Sequence, residues 1–224
     1  MNKPIFNLKQ LLPFLTLVIT ATLTSCGSTG GPSKANPLAT RPLNAVFVNP
    51  YEKGTYKHFK AGPNYPKTYN VFKNSSLLAK TNSENSNVVI DLGLQRAFLM
   101  HHDEVAMDYP VSTGNSKHPT PTGDFKIMEK VIDKRSNLYG KILDANGEVV
   151  KTNADSRDDV IPEGGSFLGA SMTNWMRITG DGVGMHRGRV PRYPASHGCI
   201  RTPRSVVTII YDKVKFGTSV TILK

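Results

Sequence analysis

Cysteine is nearly absent from this sequence: Cys26 and Cys199 are the only two in 224 residues. A small fold stapled by several disulfides is thereby excluded. Acids are scarce too, 17 Asp and Glu against 28 Lys and Arg, which gives a formal net charge of +11. The acids that do cluster, Asp144, Asp155, Asp158 and Asp159, match no calcium-loop spacing and read as a solvated patch. No apolar run reaches the roughly 20 residues of a bilayer-spanning helix. No repeat of fixed period occurs, which excludes solenoids and propellers.

Residues 1–25 read as a lipoprotein signal peptide. Lys3 and Lys9 precede the apolar stretch 10–22, and Leu23-Thr24-Ser25-Cys26-Gly27 resembles the lipobox of bacterial lipoproteins. The resemblance implies that Cys26 is lipidated and heads the exported chain, which places it at the periplasmic face of the cell envelope, held to membrane. In a Gram-negative cell, Gly27 carries no inner-membrane retention signal and points to the outer membrane. Loss of Lys3 and Lys9 would take the charge from +11 to +9. For an exported chain nucleic acid is not an expected partner. Anionic envelope polymers and lipid headgroups are, unless the charge is simply a diffuse solvated surface. With Cys26 consumed by lipid, Cys199 has no partner within the chain, so it is packed, linked to another molecule, or reactive.

Residues 26–42, mostly Gly, Ser, Thr, Pro, Asn and Ala, read as a flexible tether. Residues 43–87 carry Phe47, Tyr51, Tyr56, Phe59, Tyr65, Tyr69 and Phe72 without helical or alternating period, and are expected to form an extension wrapped on a domain surface. From 88 to 224 the texture is that of one catalytic-sized domain. Runs at 88–92, 95–101, 105–111, 125–132, 141–143, 148–151, 175–179 and 183–186 have strand composition, and Asn146-Gly147 marks a hairpin. One helix is expected near the end, with Thr202 as N-cap, Pro203 at its first position and Gly217 as its stop, followed by a strand at 219–223. The expected class is mainly β, a β-rich α+β domain.

Around the second thiol the chain reads Gly184-Met185-His186-Arg187-Gly188-Arg189 and then Ser196-His197-Gly198-Cys199-Ile200-Arg201. Thiol catalysis needs a base, donors for an oxyanion and a field that favours S⁻. His186 and His197 are candidate bases, and Gly198 lets backbone amides near Cys199 approach a carbonyl. Arg187, Arg189, Arg192, Arg201 and Arg204 are expected to lower the thiol pKa and attract carboxylates. His186, His197 and Cys199 could equally form an open zinc site, and plain structural packing stays open on chemistry alone.

The block Ser196 to Arg201 with His186 upstream resembles the signature of the L,D-transpeptidase catalytic domain, the YkuD-like family: a His, a spacer, Ser/Thr-His-Gly-Cys, an apolar residue, then Asn or Arg. The likeness continues in Ile90-Asp91-Leu92 with Gln95-Arg96, in Pro110-Val111-Ser112-Thr113-Gly114 and in Thr120-Pro121-Thr122-Gly123-Asp124-Phe125, in the family's order, and covers residues 88–224. It implies a sandwich-like β domain with a helix after the nucleophile loop. It implies Cys199 as nucleophile, His186 as base, Ser196 and His197 as shapers of the loop, and the Gly198 and Cys199 amides as oxyanion hole. Arg201, where Asn is more familiar, is implied to hold an acidic substrate group. The spacer from His186 to Ser196 is shorter than in the best-known members. No metal or cofactor is implied.

The activity implied is acyl transfer on peptidoglycan stem peptides. Cys199 attacks the third stem residue, expels the terminal D-amino acid and passes the acyl group to a second stem, closing a 3→3 cross-link. Water as acceptor makes an L,D-carboxypeptidase, and a protein lysine makes an anchoring enzyme. A zinc hydrolase and a non-catalytic wall-binding lipoprotein are the readings of other classes. Residues 129–175 read as an elaboration of the core, with Trp175 and Phe167 expected to be core rather than groove.

Lipidation at Cys26 predicts that the protein fractionates with membranes and that Cys26→Ala protein is released into the soluble envelope fraction. Continued sedimentation of Cys26→Ala protein with membranes contradicts the lipid anchor.

Overall fold

In the computed structural model, which describes residues 47–224, the elements in chain order are α1 (Tyr56–Lys60), β1 (Phe72–Lys73), α2 (Ser75–Lys80), β2 (Ser86–Asp91), β3 (Arg96–His101), β4 (Glu104–Pro110), β5 (Gly123–Lys126), β6 (Glu129–Val131), β7 (Arg135–Leu143), β8 (Val149–Asp155), β9 (Ser166–Ser171), β10 (Trp175–Arg177), β11 (Gly184–Arg187), β12 (Ile200–Thr202), α3 (Arg204–Lys213) and β13 (Ser219–Leu223). Residues 1–25, expected to be a signal peptide, residues 26–42, expected to be a tether headed by Cys26, and residues 43–46 lie outside the described residues. The strands form a six-stranded sheet in the order β1-β4-β3-β2-β13-β5, a four-stranded sheet β12-β11-β10-β6 and a three-stranded sheet β8-β7-β9. The class is mainly β, as the sequence indicates.

Period-two alternation selects the core. Val88 and Ile90 of β2, Ala97 and Leu99 of β3, Met107 and Tyr109 of β4, and Val220 and Ile222 of β13 are buried, while their neighbours in sequence face the other side. Met176, Met185 and Ile200 of the four-stranded sheet and Val206, Val207 and Ile210 of α3 join the same cluster. Each large apolar side chain contributes on the order of 2 kcal/mol by leaving water. The consequence for chemistry is that one face of the four-stranded sheet is spent on the core. Its other face carries the alternate residues, among them Trp175, His186 and Arg201.

The helix begins and ends differently from the sequence expectation. Thr202 closes β12, opposite Arg187, and Pro203 takes the cap position with no side-chain cap bond, so the helix proper starts at Arg204. It stops at Lys213, and Gly217, at φ +84°, serves the turn into β13 instead. The Lys130 ammonium donates to the carbonyls of Tyr211 (2.6 Å) and Val214, placing a cation at the helix's negative end. The hairpin at 144–148 forms as expected, although only Gly147 takes positive φ. The Asp144 carboxylate stands in for Asn146 by accepting from the amides of residues 146 and 148.

The 43–87 segment does more than lie on the surface. Its strand β1 pairs with β4 and becomes the edge of the six-stranded sheet. Tyr56, Phe59, Tyr65 and Phe72 gather around Arg96, whose guanidinium lies 5.3 Å from the rings of Phe59 and Tyr65. Arg96 is fully buried. It pairs with Asp108 and donates to the carbonyls of Thr68 (2.9 Å), Asn70 (3.0 Å) and Pro66 (3.3 Å). Tyr56 donates to the second Asp108 oxygen at 3.0 Å. Aromatics without period therefore mark a cluster organised by one buried ion pair, a contact that no local pattern encodes.

Removing one member of a buried, fully bonded ion pair leaves the other charge unpaired, so Arg96→Met should cost about 3–5 kcal/mol and expose residues 62–74 to proteolysis. Urea unfolding with limited proteolysis checks this. A loss below about 1 kcal/mol, the scale of an exposed pair, contradicts the assigned role.

Candidate functional site

A cavity of about 590 Å³ opens on the free face of the four-stranded sheet and is lined by His186, Cys199, Arg201 and Trp175, with His197 and Tyr139 among the residues at its wall. Register accounts for the grouping. The parallel pairing of β11 with β12 sets His186 beside Arg201, and Met176 opposite Met185 sets Trp175 beside His186, so the three side chains form one cross-strand row. Cys199 precedes β12 by one residue and lies next to Gly184. Glycine is required at 184, because a Cβ there would come within 2.6 Å of the Trp175 ring. Trp175 is buried and also lines the cavity, with its indole N–H donating to Glu129 at 2.8 Å. Phe167 lies half-buried on β9, away from the cavity lining.

The His186 ring is buried, and its Nδ1 lies 2.8 Å from the Arg187 carbonyl. A carbonyl only accepts, so Nδ1 carries the hydrogen and Nε2 is left as the basic nitrogen. Burial lowers the His186 pKa to about 4, so the ring is neutral at pH 7. The Cys199 sulfur sits 3.9 Å from the Gly182 carbonyl. Burial pushes its pKa up, against the opposing influence of the Gly184 N–H and the Arg201 charge. This corrects the expectation of a thiol acidified by five arginines: only Arg201 is close enough to act on it, and desolvation outweighs that one charge. The resting pair is thus a neutral thiol and a neutral imidazole.

The backbone before Cys199 is held from several sides. Ser196 donates through Oγ to the Cys199 carbonyl at 2.5 Å, and Thr120 donates to the Gly198 carbonyl at 2.6 Å while accepting from the Gly114 N–H. Gly198 adopts φ +104°, a conformation that L side chains rarely take. Ser112 and Arg201 exchange backbone hydrogen bonds at 3.1 and 2.9 Å, and the Thr113 carbonyl accepts from Ala195 and Ser196. Gln95 fastens Thr113 in turn, donating to its hydroxyl at 2.7 Å and accepting from its amide at 3.1 Å. Arg192, in the spacer, donates to the carbonyls of Gln95 and Pro66, so the loop is also tied to the aromatic extension. The sequence blocks at 95–96, 110–114 and 120–125 carry no chemistry of their own. They supply the clamps of the Cys199 loop.

His197 is exposed and turns toward the three-stranded sheet. Its ring stacks on Tyr139 of β7 at 4.1 Å and meets His118 at 4.8 Å, and Arg157, ion-paired with Asp155, donates to the Tyr139 hydroxyl. Residues 134–172 thereby contribute one wall of the cavity. The sequence pointed to this segment only as an elaboration. Tyr139, His118 and Arg157 were missed because nothing in their local pattern marks a stack that forms across sheets. Among the described residues, no three His, Cys, Asp or Glu side chains converge closely enough to hold a metal ion.

Residues 85–222 match the YkuD family, the L,D-transpeptidase catalytic domain. Among solved structures, the L,D-transpeptidase from Mycobacterium smegmatis is 22% identical, with 62% of this chain and 59% of that one covered and a TM-score of 0.47. L,D-transpeptidase 1 of Mycobacterium tuberculosis is 24% identical over 62% of each chain, with a TM-score of 0.44. The Enterococcus faecium L,D-transpeptidase is 26% identical over 63% of this chain and 50% of that one, with a TM-score of 0.45. The chain thus spans half to about three fifths of the length of these relatives. Comparison with curated proteins finds no match. With more than half of its length matched, from the start of β2 into β13 and across both the clamps and the Cys199 loop, the chain belongs to the L,D-transpeptidase catalytic domain family.

Proposed function

We propose that this protein is a cysteine-dependent peptidoglycan L,D-transpeptidase that forms 3→3 cross-links, held to the envelope membrane by lipid on Cys26. The observation that carries the reading is the meeting of Cys199 and His186 in one cavity, with His186 fixed by the Arg187 carbonyl in the tautomer that leaves Nε2 free to take a proton. The basic composition and the lipobox-like segment at 23–27 support the envelope location.

The neutral resting pair dictates the order of events. As the sulfur attacks the carbonyl carbon of the third stem residue, the thiol proton passes to Nε2 of His186, and the carbonyl oxygen becomes an oxyanion facing the Gly198–Cys199 backbone. The C–N bond then breaks, and the imidazolium returns the proton to the departing D-amino acid's nitrogen. An amine of a second stem attacks the thioester, gives its proton to His186, and the sulfur leaves and is reprotonated. Water or a protein lysine in the same step would give the carboxypeptidase or the anchoring reaction. Ser196 and His197 act on the loop rather than on the reacting atoms.

Arg201 is the substrate-binding group in this reading. Its side chain lines the cavity, and none of the four ion pairs among the described residues involves it. A guanidinium there can hold a stem carboxylate through two parallel hydrogen bonds.

Since His186 stays neutral down to about pH 4 and the thiol is raised, catalysis should hold from pH 5 to neutrality while iodoacetamide alkylation of free enzyme stays slow and climbs without a plateau into the alkaline range. His186→Ala should lower kcat/KM by about 10²–10⁴ and leave the neutral-pH alkylation rate nearly unchanged. Fast alkylation at pH 6–7, lost in His186→Ala, would instead demonstrate a preformed thiolate–imidazolium pair.

Arg201→Lys keeps the charge and loses the fork, so it should raise KM for a donor with free carboxylates by about tenfold and leave an amidated donor unaffected. Equal losses on both donors would contradict carboxylate binding.

A further inference from the structure

The cavity that holds Cys199 also holds a carboxylate that takes no part in the acyl transfer, that of Glu129 at the start of β6. Register carries it to the same face as His186. Glu129 lies opposite Arg177 while Met176 lies opposite Met185, so Glu129, Trp175, Arg177, His186 and Arg201 all emerge away from the core and line this one cavity. Contacts join them as well. The Trp175 indole donates from Nε1 to Glu129 Oε2 at 2.8 Å, and its ring lies 6.1 Å from that of His186. The far edge of the indole is the one that a Cβ added at Gly184 would meet at 2.6 Å, and the Gly184 N–H is hydrogen-bonded to the Cys199 sulfur. The indole therefore sets the carboxylate off from the Cys199–Gly184 contact by roughly its own width.

Glu129 is half-buried and only partly satisfied. The indole occupies one lone pair of Oε2, no group among the described residues donates to Oε1, and none of the four ion pairs among them involves Glu129. Its cross-strand partner Arg177 does not neutralise it, since that guanidinium turns to the Gly180 carbonyl at 3.5 Å. A carboxylate held in place by a neutral donor, with its charge unopposed at a cavity wall, is suited to receive a cation.

The proposed reaction brings one. A 3→3 cross-link joins the carbonyl of one third residue to a side-chain amine of another, so the third residue of every stem carries that amine, the donor included. At pH 7 it is an ammonium. With the donor's third-residue carbonyl at Cys199, this charge stands several bonds away along its own side chain, on the scale of the indole that separates Glu129 from the sulfur.

We propose that Glu129 binds the side-chain ammonium of the donor's third residue and so selects a diamino acid at the position that acylates Cys199. The inference rests on the transpeptidase reading and names the residue that reads its donor. Arg201 takes a carboxylate of the same peptide, and the two opposite charges fix its direction across the cavity.

The test uses Glu129→Gln, which keeps an oxygen to accept from the indole and removes the charge. The emission of Trp175, the chain's only tryptophan, should stay as in the parental protein. The probes are an N-terminally blocked stem tetrapeptide with lysine or diaminopimelate as third residue, whichever binds more tightly, and the same peptide acetylated on the side-chain nitrogen. Cys199→Ala protein, which cannot react, should bind the free amine about tenfold more tightly than the acetylated form. Adding Glu129→Gln should abolish that preference, whereas Asp181→Asn, which removes an equal charge from the same cavity, should keep it. With Cys199 intact, Glu129→Gln should raise KM for the free-amine donor by a similar factor and leave KM for the acetylated donor unchanged. An unaltered preference in Glu129→Gln, equal losses on both peptides, or a preference lost in Asp181→Asn overturns the proposal. If the parental protein is not acylated by either donor, the transpeptidase reading fails, and the binding comparison still decides whether Glu129 holds an ammonium.

Discussion

The parallel pairing of β11 with β12 is the contact on which the rest depends. With Met185 set against Ile200 on the core face, His186 and Arg201 must emerge together on the opposite face, beside the position Cys199 occupies just before β12. A slip of β11 by one residue would turn His186 into the core and bring Met185 to the cavity, out of step with Arg201 and Cys199. The apolar cluster therefore fixes the register, and the register brings His186, Cys199 and Arg201 to one cavity. Gly184 and Trp175 belong to the same constraint, since the indole fills the space that a side chain at 184 would need.

Burial sets the character of the chemistry. The sequence around Cys199 is dense in arginine, yet charge falls off with distance and exposed charges are screened within about 10 Å at moderate salt. Desolvation acts on the thiol directly, and it raises the thiol as it lowers His186. A thiol kept neutral by burial is spared indiscriminate alkylation, and on the proposed reading proton transfer becomes part of its attack on a bound carbonyl. The arginines not spent on the thiol are free for other work. Arg192 braces the spacer loop against the extension.

Much of this was legible in the sequence. The strands at 86–110 and 219–223 follow from alternation, and the nucleophile block identifies Cys199, His186, Gly198 and Arg201 as candidates before any fold is known. What was not legible depends on contacts between distant segments. Arg96 and Asp108 organise the aromatics of the extension from inside the sheet, and no pattern within 43–87 could announce this. Tyr139 and His197 meet across two sheets. The helix start shifted because β12 claims Thr202 as a paired strand residue, a tertiary demand that overrides its value as an N-cap. The thiol's pKa eluded the sequence for the same reason, since counting arginines says nothing of how far each lies from the sulfur or how dry the sulfur is.

On the proposed reading, Cys199 carries the acyl group of a peptidoglycan stem. Intact-protein mass spectrometry of the purified protein, mixed with a defined stem tetrapeptide and quenched in acid, tests it most directly. Acyl transfer through Cys199 predicts an adduct of the stem tripeptide acyl group on Cys199, absent from Cys199→Ala protein, that disappears as cross-linked dimers form on adding a second stem. Absence of any adduct while the tetrapeptide is consumed, or consumption by Cys199→Ala protein at the parental rate, would contradict it.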